Sequence, residues 1–386
     1  MRERAIERQM YKGSITAAKP AIELHEGFPE VIDSLARRAT SAQSFLRSAW
    51  YRAWAGGSGQ TMILNGADGA AIAAVPTMKA SPAVLGLRTV PGCYWPFRSI
   101  LVADSATEED LVKAFSHSFA IKALSPVWRM GPVSAQDPTV QHVSRAASLA
   151  GWSVLQRPVG KSWFFDLASG NGLPGKSTAK RLRQYERRLA ELGRVSWRRV
   201  SGAEWDQTTL DQLGKVEEES WVGRATDGSG AKFLQPAKRA LWRDVLRDSH
   251  IAEICQATIV SLDDRPIAFS FDMLCETVQY AIACSFSEDM GHFRLGNIVT
   301  CNQLNYAREK GIATVHLGSG DLGYKRQMGA TEGEDHVDLL FVRGRIKAGL
   351  LALKWGPKLG GTKTLRHSAT IAPRAARVPR PPHSAS

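Results

Sequence analysis

The sequence predicts an α+β protein whose mixed, mostly antiparallel sheets are flanked by helices, and three observations carry that prediction. From about residue 254, three strand-like runs, ICQATIVSL, IAFSFDML and VQYAIACSF, follow one another with only short turns between them. Strands joined that tightly pair antiparallel, because parallel neighbours need a long crossover. Helix-like and strand-like segments then alternate to residue 343, and they do so less regularly in the first half. Finally, 386 residues with 44% hydrophobic content suffice for two domains with packed cores. We divide the chain into an extension (1–19), a first domain (20–166), a second domain (167–355) and a tail (356–386).

In the first domain AIELHEG reads as a strand and FPEVIDSLARRA as a helix. SFLRSAWYRAWAGG is a second helix closed by glycines. TMILNG and AIAAVPTMKAS form a hairpin across Gly66–Gly69. WPFRSILVA and PVWRMGPV are strand-like, TEEDLVKAFSHSFAIK and TVQHVSRAASLAGW helical, and SVLQRPVGKSWFFDL extended.

The second domain opens on the helix TAKRLRQYERRLAELG, with Ala179, Leu182, Tyr185, Leu189 and Leu192 on one face and Gly193 as its stop. VSWRRV is a strand; AEWDQTTLDQLGKVEEESW and FLQPAKRALWRDVLRD are helices. In the meander, Ile267, Phe269, Phe271 and Met273 alternate onto one face. So do Tyr280, Ile282, Cys284 and Phe286, which leaves Ala281, Ala283 and Ser285 as a small-residue face that lets a ligand approach the backbone. GHFRLGNIVTCNQLNYAREKG is a glycine-opened helix, ATVHLGSGD a strand running into a turn, and VDLLFVRGRIKAGLLALKWG a strand followed by an amphipathic helix.

Composition narrows the function classes. The net charge is +13, and residues 342–386 hold ten Lys/Arg and no acid. The tail is rich in Pro, Ala, Ser and Arg without periodicity; we expect it to be disordered and solvated, with anionic lipid or nucleic acid as its possible contacts. The charged N-terminus lacks an apolar signal region and no apolar run is long enough to span a bilayer, which predicts a cytoplasmic protein. Five cysteines without a CxxC pair read as reduced core thiols, and no spaced His/Cys set suggests a metal. His292 and His316 stand alone and read as structural.

Five stretches have residues suited to chemistry. Arg294-Leu295-Gly296-Asn297 opens a helix, where exposed amides and the helix dipole favour an anion. In Leu317–Lys325, a strand end carries three glycines with Asp321, Tyr324 and Lys325: a proton acceptor, a proton donor and a cation. Residues 170–177, GNGLPGKS, match the P-loop pattern. The basic helix containing Arg181, Arg183, Arg187 and Arg188 suits phosphates or RNA. Trp221 and Arg224 sit in a break between helices suited to a pocket lip.

SFLRSAWYRAW, AKRLRQYERRLAELGRVSW, EESWVGR, RPIAFSF, LGNIVTCNQLNYAREKG and LGSGDLGYKRQMGA, in that order, resemble the CelD-like branch of the GNAT acyltransferase superfamily. That branch is linked to cellulose and exopolysaccharide formation and is similar to the Fem peptidoglycan-bridge transferases. The resemblance implies two tandem GNAT-like domains and N-acyl transfer from acetyl-CoA or another acyl-CoA to an amine, such as that of a glycan precursor. It implies a thioester held in a gap between central strands near Ala283 and Ser285, with its pyrophosphate at Arg294, Gly296, Asn297 and Ile298. It implies Tyr324 as acid and Asp321 as base, with Lys325, Trp221, Arg224 and Arg181 toward substrate. The GNAT phosphate loop has two spaced glycines; here the second is missing, so aminoacyl-tRNA, the Fem-type donor, stays open.

Overall fold

The computed structural model describes residues 22–39, 41–80, 86–93, 95–170, 172–320 and 323–355. The expected tail, the whole N-terminal extension and Asp321 lie outside the described residues.

The first half runs β1 (Ile22–Glu26), α1 (Val31–Ala36), α2 (Ser48–Trp54), β2 (Gln60–Asn65), β3 (Ala71–Lys79), β4 (Arg88–Thr89) and β5 (Leu101–Val102). It continues with α3 (Glu108–Ser116), α4 (Ser118–Leu124), β6 (Val127–Ser134), α5 (Pro138–Leu149) and β7 (Trp152–Asp166). The second half runs α6 (Lys176–Ala190), β8 (Val195–Ser201), α7 (Gln207–Glu219), α8 (Trp221–Ala225), α9 (Pro236–Val245) and α10 (Ser249–Ile254). There follow β9 (Cys255–Leu262), β10 (Arg265–Cys275), β11 (Val278–Phe286), α11 (Leu295–Glu309), β12 (Thr314–Ser319), α12 (Tyr324–Gln327), β13 (Thr331–Arg343) and α13 (Arg345–Trp355).

Among the described residues the strands form one sheet, in the order β1-β2-β3-β4-β6-β13-β7-β12-β11-β10-β9-β8, with β5 on β3. Its two ends mirror each other. β1 to β4 are antiparallel neighbours and β4 then runs parallel to β6. β8 to β11 are antiparallel neighbours and β11 then runs parallel to β12. The last strand of each half crosses over: β7 pairs with β12, β13 pairs with β6, and β7 and β13 pair with each other from Trp152↔Arg343 to Phe164↔Thr331. Each half thus completes the sheet of the other. Asp338 on β13 fixes the exchange, accepting from Arg129 on β6 at 2.7 and 2.8 Å and from Arg157 on β7 at 2.5 Å. Charge-assisted bonds of this kind are about twice as strong as neutral ones.

The second-half sheet has two dissimilar faces. Phe269, Phe271 and Met273 enter a core shared with Trp50, Phe233 and Trp242. Trp242 stands edge-on to Phe271 at 4.7 Å. The other face is covered by α6 and α11, through Leu182, Leu189, Ile298, Val299 and Leu304. Ile267 joins this second core and does not follow Phe269, because the β9–β10 register shifts between Pro266 and Ala268 and turns it to the opposite face. The segment expected as one helix at 107–122 is broken at His117, whose extended backbone ends α3 and caps α4. α13 buries Ala348 but leaves Ile346, Leu350 and Leu353 exposed, so its outer side is not the polar one that an amphipathic helix would show. No described helix is long and apolar enough to cross a membrane.

Candidate functional site

β11 and β12 are paired only at Val278↔Thr314, Gln279↔Val315 and Tyr280↔His316, although β11 continues to Phe286 and β12 to Ser319. The cause is a bulge. Asp272 of β10 pairs with Ala281 and Phe271 with Ala283, so Ile282 is an extra residue. An extra residue bends its strand and increases its twist, here just beyond the last pair with β12. Trp95, from the first half, wedges the fork. Its indole N–H donates to the Ala281 carbonyl at 2.9 Å. Its ring lies where a side chain on Gly318 would stand, 3.2 Å from an ideal Cβ, and Gly318 has φ +70°.

On the α11 side the fork opens a cavity of about 160 Å³. Ala281, Ile282, Ala283 and Cys284 wall it from β11, Val315 and Leu317 from β12, and Tyr324 borders it. Its floor is polar: Ser270 and Asp272 of β10, Gln279 of β11 and Gln303 of α11. Burial pushes the Asp272 carboxyl up to about 7, against the opposing pull of Ser270 and Gln279. Cys284 is reached through the cavity yet surrounded by protein, and burial pushes its thiol up to about 12.

The bulge reassigns the faces of β11. Gln279, Ala281 and Cys284 now share the cavity side, and Ser285 pairs with Phe269 and is buried on the far side. Of the two cofactor residues expected here, Ala283 lines the cavity and Ser285 does not.

α11 begins one turn from the cavity wall. Arg294 precedes it in the left-handed conformation, φ +58°, with its side chain exposed. The amides of Asn297 and Ile298 already bond the Arg294 carbonyl, and the Ile298 side chain is in the second core. Their backbone amides are therefore already taken, contrary to expectation. The amides of Leu295 and Gly296 have no acceptor among the described residues. A Cβ on Gly296 would stand 3.0 Å from the Phe286 ring, so packing also demands glycine there. Thr300 connects this end to the cavity: it lines the wall and donates from Oγ1 to the Gly296 carbonyl at 2.8 Å.

At the other rim, Tyr324 is 42% exposed at the start of α12. Lys325 is buried and turns toward the end of β12. Its ammonium donates to the carbonyls of Leu317, Gly318 and Gly320 at 3.0, 3.3 and 2.6 Å and holds the strand-end turn closed.

Behind the fork, β12 and β13 bring together two histidines that sequence spacing could not connect. His316 stacks on Tyr280 at 5.8 Å and His336 on Trp95 at 5.4 Å. Ser319 hydrogen-bonds His336 Nδ1 at 2.7 Å, reaching across β7 at Gly160, where an added Cβ would meet Ser319 at 3.5 Å. Burial lowers both imidazoles, His336 to about 4; Glu334 offsets the effect at His316. Both are thus neutral at pH 7. The only signal in the sequence was histidine on two central strands.

Trp221, Arg224 and Arg181 do not line this cavity. Trp221 and Arg224 lie on α8, at a corner fixed by Glu217, whose carboxylate accepts from the amides of Lys232, Phe233 and Leu234 at 2.6–3.0 Å. Arg181 is exposed on α6. The P-loop pattern at 170–177, with Asn171 outside the described residues, follows β7, whose neighbours β12 and β13 are both antiparallel to it. A nucleotide-binding βαβ unit requires a parallel neighbour, so the pattern lacks its structural context.

Residues 176–326 match the family model described as an acetyltransferase (GNAT) domain. No curated protein matches the chain. Among solved structures, FemX superposes with a TM-score of 0.58 at 11% identity, over 85% of this chain and 99% of its own. L-PGS from Bacillus licheniformis gives 0.53 at 14%, over 85% and 95%. The C-terminal DUF2156 domain assigned to a lysylphosphatidylglycerol synthetase from Agrobacterium fabrum gives 0.51 at 13%, over 84% and 93%. At such identities the likeness is one of fold: this chain shares the fold of these structures, and its residues 176–326 match the acetyltransferase (GNAT) domain.

Proposed function

We propose that the protein is an acyl-CoA-dependent N-acyltransferase, with its donor site in the second domain (167–355) at the β11/β12 fork. The observation that carries this reading is the fork itself: a parallel pair parted by a bulge, with an open cavity at the gap and unbonded helix amides one turn away. Acetyl-CoA or another acyl-CoA would supply an activated carbonyl carbon, to which an amine nitrogen bonds as the carbon–sulfur bond breaks. The chain's part is to orient and to move protons. The Leu295 and Gly296 amides, with Arg294 beside them, suit a diphosphate. Ala281–Cys284 offer backbone along the gap. Tyr324 is the proton donor toward the leaving sulfur and Asp321 the base; the acceptor is an amine of a glycan or cell-envelope precursor.

Mixed with a panel of acyl-CoA donors, the protein is expected to melt at a higher temperature with those it binds. Tyr324→Phe should lower turnover by about 100-fold or more while leaving donor affinity within about twofold. Unchanged turnover would remove Tyr324 from the chemistry, and no thermal shift with any CoA thioester would remove the function.

The exposed arginines of α6 and the shared fold with FemX favour one second reading, transfer from aminoacyl-tRNA. Gel shifts with bulk tRNA across a salt series decide it: affinity that falls steeply with salt supports it, and absence of binding dismisses it.

A further inference from the structure

The floor of the fork cavity holds more polar atoms than the fold has partners for. Ser270, Asp272, Gln279 and Gln303 are each 4% exposed or less. Among the described residues, Ser270 Oγ, Asp272 Oδ2, Gln303 Nε2 and both ends of the Gln279 amide have no hydrogen-bond partner of good geometry; Ser270 and Gln279 stand close enough to the Asp272 carboxyl to favour its charged form, but not to satisfy it. All four residues line the cavity. Their convergence follows from the register: Ser270 pairs with Cys284, Asp272 with Ala281 and Leu274 with Gln279, so one face of the β10–β11 ribbon delivers three of them. The fourth comes down from α11, with its Oε1 accepting from Thr258 at 3.2 Å, which leaves Nε2 for the cavity. An unpaired buried polar group costs about 1–3 kcal/mol, so such a cluster is stable only when something fills it.

We propose that this floor recognises the acyl group of the donor and selects acyl groups bearing an uncharged hydroxyl or carboxamide. The inference rests on the fork being the donor site, since the wall above the floor, Ala281 to Cys284, is the diverging segment. Donors and acceptors are both present: amide N–H groups on Gln279 and Gln303, and oxygens on Gln279, Asp272 and Ser270. A hydroxyl or carboxamide, which is both donor and acceptor, satisfies them together. Among the described residues no lysine or arginine lines the cavity, and the acidic side chain on its floor is Asp272, so an anionic acyl group meets a carboxyl with no compensating cation there. The methyl of an acetyl group would displace water and leave every one of these atoms unpaired, the situation in which a polar site rejects an apolar analogue most strongly.

The test is calorimetric titration of the full chain with CoA, acetyl-CoA, butyryl-CoA and 3-hydroxybutyryl-CoA. The last two share a carbon skeleton and differ by one hydroxyl. 3-Hydroxybutyryl-CoA should bind at least about tenfold more tightly than butyryl-CoA. Gln279→Met should abolish that preference while CoA itself binds within about twofold of wild type, and the variant should lose little stability because the lost groups made no well-formed hydrogen bond. Asp272→Asn, which keeps hydrogen-bonding capacity, should retain the preference. Equal binding of the two four-carbon donors, or a preference that survives Gln279→Met, would overturn the acyl-recognition role and leave the donor site standing. If no CoA thioester binds at all, the proposed function fails first and this role with it.

Discussion

Asp272 and His336 are buried ionisable groups whose protonation is displaced in opposite directions. Asp272 moves from 3.8 in the unfolded chain to about 7, so between those values the folded state holds a proton that the unfolded state lacks, and stability falls as pH rises. His336 moves from 6.5 to about 4, so between those values the unfolded state holds the extra proton, and stability rises with pH. Each slope is about 1.4 kcal/mol per pH unit. From pH 4.5 to 6 they nearly cancel in the wild type. Asp272→Asn should therefore gain about 2 kcal/mol of stability over that interval, and His336→Gln should lose about as much. Urea unfolding at both pH values checks this; parallel profiles for all three proteins would refute it. At this scale the sequence is unevenly legible. Gly296 and Tyr324 stand out by residue type next to a helix or strand end, and both border the fork region. His336, Trp95 and the floor glutamines do not, because their neighbours lie on other elements, 241 residues away in the case of Trp95 and His336.

Among the elements, the β9–β10–β11 meander, α11 and β12 were legible because short turns and clean periodicity leave little choice of pairing. The bulge was not. A single extra residue at Ile282 leaves the alternation of side-chain sizes intact while reversing which face follows it, and so it misplaced Ser285. Nor could periodicity reveal that β12 stops pairing with β11 after His316, since the bulge and what stands between the strands decide the parting. Trp95 and Gly318 occupy that space. Gly318→Ala adds a side chain against the indole at a left-handed position and should cost about 1–3 kcal/mol. It should also displace Trp95 and change the near-ultraviolet dichroism. A variant with wild-type stability and an unchanged spectrum would show that the wedge tolerates a bulkier neighbour.

Across the molecule, the exchange of β7 and β13 makes the two halves interdependent, whereas a linear reading of the sequence drew a boundary at residue 166. Without β7, β12 becomes an edge; without β13, β6 does. Long unpaired edges aggregate. Residues 22–166 and 167–355 produced separately are expected to be insoluble or unfolded, and produced together to form a one-to-one complex by size-exclusion chromatography. Two stable monomers would contradict this. No repeat in the sequence announces the mirrored strand order, because pairing direction is set by backbone geometry and a wide range of apolar residues satisfies it.

The crossing strands also set a timetable for biosynthesis. β6 is finished at Ser134, but its partner begins at Thr331. At about 5–20 residues per second, a ribosome leaves that flank bare for roughly 10–40 s. During this interval the nascent chain depends on chaperones or on transient self-protection, and the amino-terminal portion reaches its final form only as the carboxyl-terminal portion emerges.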